Sequence, residues 1–425
     1  MAGEAWSRRQ FLQQILRCGT CLAAAGLVLD KGVWRWVPGS GEAGAARAAG
    51  PWDELLRTAP VARYWTSAKT AAAAGVTGAA GCQACHAPED IAGRDRVEHQ
   101  EPETIRCLLC AQRCLIPAGR RGKCGVRLNQ GGVLRSLSYG RPAAVHLDPI
   151  EKKPFYHFLP GRQALSLGTV GCALHCRFCQ NWELSQGRPE DRVQRFVPPE
   201  DVVQVANDRR APVIAFTYNE PTVFTEYLVD IARLARQAGI RSVLVSCGYM
   251  NEAPLAEMCE CLDAIKIDLK GYSPEFYRRV CDAELDPVLR SIKQIGRSGV
   301  HQELVNLVVP TLNDSRAMLE DLCRWVADEL GPDVPIHFTR FHPDYQLMHL
   351  PPTPVATLEQ AGELAAKHGL RYAYIGNVPG HRGDHTYCPA CGEVVIRRRG
   401  FLVEANRLRD GKCEQCGAEI AGVWR

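Results

Sequence analysis

From residue 164 onward the sequence alternates short β-branched runs with stretches of helical period, and few architectures accept so regular an alternation. The candidate strands are 164–170, 213–218, 242–247, 264–269, 303–309, 336–341 and 371–375, giving about six or seven βα units. Between them the periodicity predicts helices over 201–208, 223–238, 286–297, 317–330 and 358–368. Strands joined through helices pair in parallel with the helices outside, as a full or partial β/α barrel or as a doubly wound sheet. A (partial) barrel is the expected α/β form, because polar motifs recur at the C-terminal ends of successive strands. At 425 residues and 46% hydrophobic composition, the chain can build that core and carry further modules. Its net charge of +4 is small for its length, so no nucleic-acid partner is expected.

The second constraint is the 20 cysteines, most of them in short-spaced groups. Such spacing suits metal, whereas a disulfide framework suits small secreted domains without a core. Cys247, Cys259, Cys261, Cys281 and Cys323 lie apart from the groups and read as small buried hydrophobes. The expected organisation is 1–46 signal and linker, 47–100 an Ala/Gly-rich segment, 101–160 a Cys-rich module, 161–380 the barrel core and 385–425 a second Cys-rich tail.

Cys172, Cys176 and Cys179 form a CxxxCxxC run directly after the first strand, at the end where barrels place their active sites. Three thiolates on one loop can hold three irons of a [4Fe-4S] cubane and leave the fourth open. An open iron can chelate the amino and carboxylate groups of S-adenosylmethionine (SAM), whose sulfonium is cleaved when one electron is supplied by a one-electron reductant. A zinc knuckle is the alternative, and it would take His175 as its fourth ligand.

The triad, with Phe178 before its last cysteine, joins Tyr218-Asn219-Glu220-Pro221-Thr222, Ser246-Cys247-Gly248-Tyr249 and Asp268-Leu269-Lys270-Gly271. Together they resemble the radical SAM superfamily, and within it the activating enzymes of pyruvate formate-lyase. Tyr374-Ile375-Gly376-Asn377-Val378-Pro379-Gly380 and the Cys-rich tail make the chain most similar to the radical SAM enzyme of the AmmeMemoRadiSam system, over about residues 107–424. The resemblance implies a barrel of radical SAM type and a hydrogen-abstracting enzyme. Its substrate would be an unidentified protein or small molecule; in the activases it is a protein glycine. It also implies Memo-like system partners. Glu220 would accept hydrogen bonds from the SAM ammonium, although it also reads as a helix cap. Ser246 and Gly248 would approach the methionyl and ribose groups. Asp268 and Lys270 lie on one strand face and would clamp the zwitterionic end of SAM, unless they form a plain surface ion pair. Val309, Pro310 and His342 would line the adenosine. The chain departs from the family at Cys247, where members tend to carry Asn.

Outside the core, Cys107, Cys110, Cys114 and Cys124 supply four thiolates, enough for zinc or for a second iron–sulfur cluster. Cys388-x2-Cys391 and Cys413-x2-Cys416, each followed by glycine, read as a structural zinc ribbon with Arg397, Arg398 and Arg399 on a solvated hairpin. Cys82-Gln83-Ala84-Cys85-His86 matches c-type haem attachment; a further metal ligand set is the preferred reading. Ser7-Arg8-Arg9-Gln10-Phe11-Leu12 resembles a twin-arginine signal and points to export; if it is unused, the protein stays in the cytoplasm. An exported, non-catalytic iron–sulfur or haem electron carrier is the rival function.

Overall fold

The computed structural model describes residues 51–73, 103–192 and 195–425. The N-terminal signal motif and Cys82, Cys85 and His86 lie outside the described residues. The chain forms two compact units, 1–57 and 58–425, and everything below belongs to the second. Among the described residues no helix is long and apolar enough to cross a membrane.

The core is an eight-stranded sheet whose spatial order follows the sequence. Its strands are β1 (Ala144–Pro149), β2 (Gln163–Gly168), β3 (Val213–Phe216), β4 (Arg241–Ser246), β5 (Ala264–Asp268), β6 (His301–Val308), β7 (Ile336–Arg340) and β8 (Ala373–Gly376). β1 pairs antiparallel with β2, and every later neighbour pairs in parallel. Helices fill the crossovers: α1 (Pro199–Asp208), α2 (Thr225–Gln237), α3 (Glu252–Cys261), α4 (Leu285–Ser298), α5 (Arg316–Leu330) and α6 (Val355–Lys367). The sheet ends at β1 and β8 without closing, so the barrel is partial, as the sequence allows.

Alternation along the strands separates two faces. Leu165, Ile214, Phe216, Leu244, Ile265, Ile267, Leu304 and Phe338 are buried and alternate with the residues of the inner face. On that inner face Ala164, Val213, Ala215, Val243 and Ala264 are small enough to admit Ile150, Phe155, Phe158 and Leu159, which fill the barrel near the strand starts. Glu303, fully buried, pins this plug by accepting from Tyr156 N (3.0 Å), His157 N (2.8 Å) and His337 Nε2 (2.7 Å). Nearer the strand ends the same face turns polar, with Lys266, Asp268 and Thr339, and there a cavity opens.

The predicted strands and helices fall within a few residues of the observed ones; β1 and α3 go unforeseen. β1 is a half-exposed edge strand inside the segment read as a Cys-rich module, and α3 has little amphipathic contrast. Strand Trp65–Ser67, within the Ala/Gly-rich segment 47–100, pairs with Ile105–Cys107, which in turn pairs with Leu115–Ile116.

The C-terminal tail carries a three-stranded sheet with Val394–Arg399 at its centre. The three arginines do not share one environment, which corrects the solvated-hairpin reading. Arg398 points inward and is buried, its guanidinium 4.1 Å from the Tyr156 ring centroid, donating to Tyr156 O (2.8 Å) and Thr386 Oγ1 (2.8 Å). Its strand neighbours point to the opposite face and are exposed.

Candidate active site

β2 ends at Gly168, and the chain enters the triad loop through Gly171 at φ +93°. A Cβ at Gly171 would stand 2.6 Å from Cys124 O, so only glycine fits. Asn219, following β3, stitches the loop down: its Nδ2 donates to Gly171 O (2.8 Å) and its Oδ1 accepts from Thr169 N (3.2 Å). On the far side the loop is strapped to the π-turn Tyr277–Cys281 through His175 N to Cys281 O (3.1 Å) and Arg177 N to Val280 O (2.9 Å).

Cys172, Cys176 and Cys179 all line the cavity, whose volume is about 440 Å³. Leu174 N donates to Cys172 Sγ (3.4 Å), and Cys179 Sγ lies 3.1 Å from Ser185 Oγ. His175 turns away; its Nδ1 is 3.1 Å from Asp282 Oδ2, with the carboxylate also held by Lys123 at 2.8 Å. The imidazole therefore does not complete a four-ligand zinc knuckle with the triad. Burial pushes the Cys172 and Cys179 thiols up, while a hydrogen bond with Cys281 pulls Cys176 down. Buried sulfurs of this kind give up their protons readily only to a cation, which suits metal ligation.

Glu220 is buried beside them. Its Oε1 accepts from Thr222 N (3.1 Å), Thr222 Oγ1 (2.6 Å) and Ser246 Oγ (2.7 Å), and its Oε2 from Cys247 N (2.7 Å). It thus caps the short turn Pro221–Phe224, and the Cys247 side chain also bonds its carboxylate. Ser246 lines the cavity but spends its proton on Glu220. Gly248, at φ +72°, shapes the turn and is not part of the cavity wall.

Asp268 and Lys270 face the cavity together, and Lys266, which the sequence reading missed, joins them. Lys266 and Lys270 both bond Asp268, the latter at 3.4 Å. Burial works against the Asp268 charge, yet the two ammonium groups hold its carboxyl below the usual range. Burial likewise opposes the Lys270 charge, but Asp268 and the surrounding thiols more than offset it and hold the ammonium well above its ordinary value.

His342 is exposed and stands outside the cavity wall, as do the fully buried Val309 and Pro310. Val305, Leu307 and Thr339, one or two turns of pleat earlier, occupy the wall instead. Lys153 and Asn377 line it too, and Phe401 reaches it from the C-terminal tail. Two of the lone cysteines are also not bystanders: Cys247 lines the cavity and Cys281 touches Cys176. Sequence spacing exposes Lys266, two residues before Asp268 on one strand face; nothing local exposes Phe401.

At the C-terminus, Cys388, Cys391, Cys413 and Cys416 bring their sulfurs within 4.8 Å of one another, with Cys388 to Cys416 at 3.6 Å and Cys391 to Cys413 at 3.8 Å. This set could hold a single metal ion.

The model of the radical SAM superfamily matches residues 166–326. A protein of Methanocaldococcus jannaschii, the uncharacterized protein MJ0808, is 43% identical over 325 residues, covering 76% of this chain and 97% of its own. The pyruvate formate-lyase-activating enzyme of Clostridium pasteurianum is 26% identical over 164 residues, 36% of this chain and 64% of that enzyme. Among solved structures, a domain of the pyruvate-formate lyase-activating enzyme from Bacteroides vulgatus aligns with a TM-score of 0.35 at 18% identity, over 38% of this chain and 98% of that one. On the family match and the near-complete coverage of MJ0808, the chain belongs to the radical SAM superfamily.

Proposed function

We propose that this protein is a hydrogen-abstracting radical SAM enzyme whose reaction takes place in the cavity of Cys172, Cys176 and Cys179. The observation that carries the reading is that the three thiols of one loop share one cavity with Glu220, Ser246, Asp268 and Lys270, at the C-terminal ends of four successive parallel strands. When bound there, a [4Fe-4S] cluster and SAM supply reductive cleavage of SAM to methionine and a 5'-deoxyadenosyl radical. The chain's own residues set the stage. The triad thiolates would hold three irons of the cluster, and His175, turned to Asp282, does not supply a fourth ligand from the same loop. Asp268 and Lys270 present opposite charges to the zwitterionic methionyl end, and the Glu220 carboxylate lies in the same cavity as a further acceptor for its ammonium. Phe178, Val245, Val305 and Leu307 give an apolar wall for the adenosine.

Similarity to pyruvate formate-lyase-activating enzyme makes a glycine of a partner protein the first substrate class to test. The tail motif favours the AmmeMemoRadiSam group, with zinc in the C-terminal four-cysteine site. Export through the N-terminal Arg8-Arg9 motif is a separate proposal, tested by fractionating cells that express the chain with a C-terminal tag.

Anaerobically reconstituted protein given dithionite and SAM is expected to release 5'-deoxyadenosine, and Cys176→Ala is expected to release none. Equal release, or none from either, ends the proposal.

A further inference from the structure

The cysteines ahead of the barrel form a second buried group. Cys107 ends strand Ile105–Cys107 and bonds through its N–H to Cys114 O at 2.9 Å. Cys110 sits in the turn between the strands and Cys124 in a turn of Gly122–Gly125, so three short segments converge. Each sulfur is met by backbone N–H groups: Cys107 by Leu109, Cys110 by Gln112, Cys114 by Lys123 at 3.5 Å, and Cys124 by Val126 and Arg127. Amide donors on sulfur favour thiolate, but burial outweighs them and pushes the Cys107, Cys110 and Cys124 thiols up, so a bound cation is what would hold them ionised. The buried guanidinium of Arg127 lies beside Cys107 and Cys124 and is itself paired with Glu226 at 2.7 and 2.8 Å. Around the group lies a dry shell of Ile105, Leu109, Ile116 and Leu134.

The spacing of the sulfurs separates two kinds of metal. A tetrahedral zinc ion with Zn–S near 2.3 Å fixes its thiolates about 3.8 Å apart. The C-terminal four meet that geometry; among the described residues no three sulfurs of the N-terminal four come within 4.8 Å of one another, and neither do those of the triad. Yet all four N-terminal sulfurs stand close enough to feel one another's charge. They enclose a wider space than one ion fills, which is what a cluster with each thiolate on an iron corner requires.

The group also shares a wall with the catalytic loop. Cys124 O is the atom that a Cβ on Gly171 would strike, one residue before Cys172. Gln112 Nε2 donates to Ala173 O (3.1 Å), and Ala111 N to Tyr249 O (3.3 Å).

We propose that Cys107, Cys110, Cys114 and Cys124 hold a second iron–sulfur cluster, lodged behind the triad loop. The site stands on its own sulfurs, and only its relation to catalysis rests on the radical SAM reading. The test uses the full chain, reconstituted anaerobically, with iron, acid-labile sulfide and zinc counted in wild type and in Cys176→Ala, which leaves these four cysteines intact. The variant is expected to retain roughly two or four irons, according to cluster nuclearity, with matching sulfide. Its reduced cluster should give an electron paramagnetic resonance signal that SAM does not alter. Adding Cys110→Ser and Cys114→Ser to Cys176→Ala should remove that remaining iron while the zinc of the C-terminal site stays. Zinc in place of iron in Cys176→Ala, or iron retained by the combined variant, overturns the proposal. Two clusters in a wild type that releases no 5'-deoxyadenosine would instead leave this site standing and remove the catalytic reading.

Discussion

Two single residues govern the site out of proportion to their size. Gly171 lets the triad loop pass against Cys124, and Gly171→Ala combines a strained positive φ with an overlap against backbone. The expected cost is about 2 kcal/mol or more, read as a Tm lowered by several degrees together with iron lost from the reconstituted protein. An unchanged Tm and iron content would show that the loop has room the geometry denies it. Asp268 is the second. Asp268→Asn leaves Lys266 and Lys270 without their carboxylate and removes an anionic partner for the SAM ammonium. A hydrogen bond involving a charged group contributes about 1.5–3 kcal/mol, so SAM affinity should fall about tenfold or more in equilibrium dialysis. Undiminished affinity would take Asp268 out of the SAM contacts.

At the scale of elements, the tail is tied to the barrel by a side chain from its central strand. Arg398 stands 3.7 Å from the fully buried Glu151 as well as over Tyr156. Arg398→Met fills similar volume but leaves Glu151 buried without its cation, and should destabilise the chain by about 3–5 kcal/mol in chemical denaturation. A neutral result would mean that the two parts are held by apolar contact alone. This junction also marks the limit of what sequence discloses. Periodicity identifies the strands of the parallel sheet and cysteine spacing identifies the triad, because both signals are local. The inward turn of Arg398 and the arrival of Phe401 at the cavity depend on contacts between distant segments, which no window of sequence contains. Asp268 and Lys270 are legible because alternation puts them on one face; His342 misleads because it lies beyond the strand end, where alternation no longer applies.

For the molecule as a whole, the buried polar base beneath the cavity sets an acid limit. Burial first, against the pull of Glu303, lowers the His157 pKa to about 3, so the folded protein keeps this imidazole neutral. The unfolded chain protonates it near pH 6.5. Glu303 is buried, which alone would raise its pKa, but His301 and His337 hold it well below the usual carboxylate range. Both groups make the unfolded state the greater proton binder. Stability is therefore complete above about pH 6.5 and falls with acidification toward pH 3, with Glu303 adding its share below about pH 4.5. His157→Gln should flatten the decline of Tm between pH 6.5 and 5 while leaving the steeper loss at lower pH. Parallel curves for the two proteins would place the acid sensitivity elsewhere.

The same base has a consequence for biosynthesis. His157 N is not its only tie: Nδ1 meets Ala421 O at 2.5 Å across 264 residues of chain, and Val423 exchanges backbone bonds with His157 and Leu159 at 2.7 Å. The plug beneath the cavity thus waits for residues 421–423 to leave the ribosome before it is sealed. Until then these particular hydrogen bonds beneath the cavity cannot form. A chain cut before Ala421 would lose all three of these bonds and leave His157 Nδ1 and the Leu159 amide beneath the cavity without those partners.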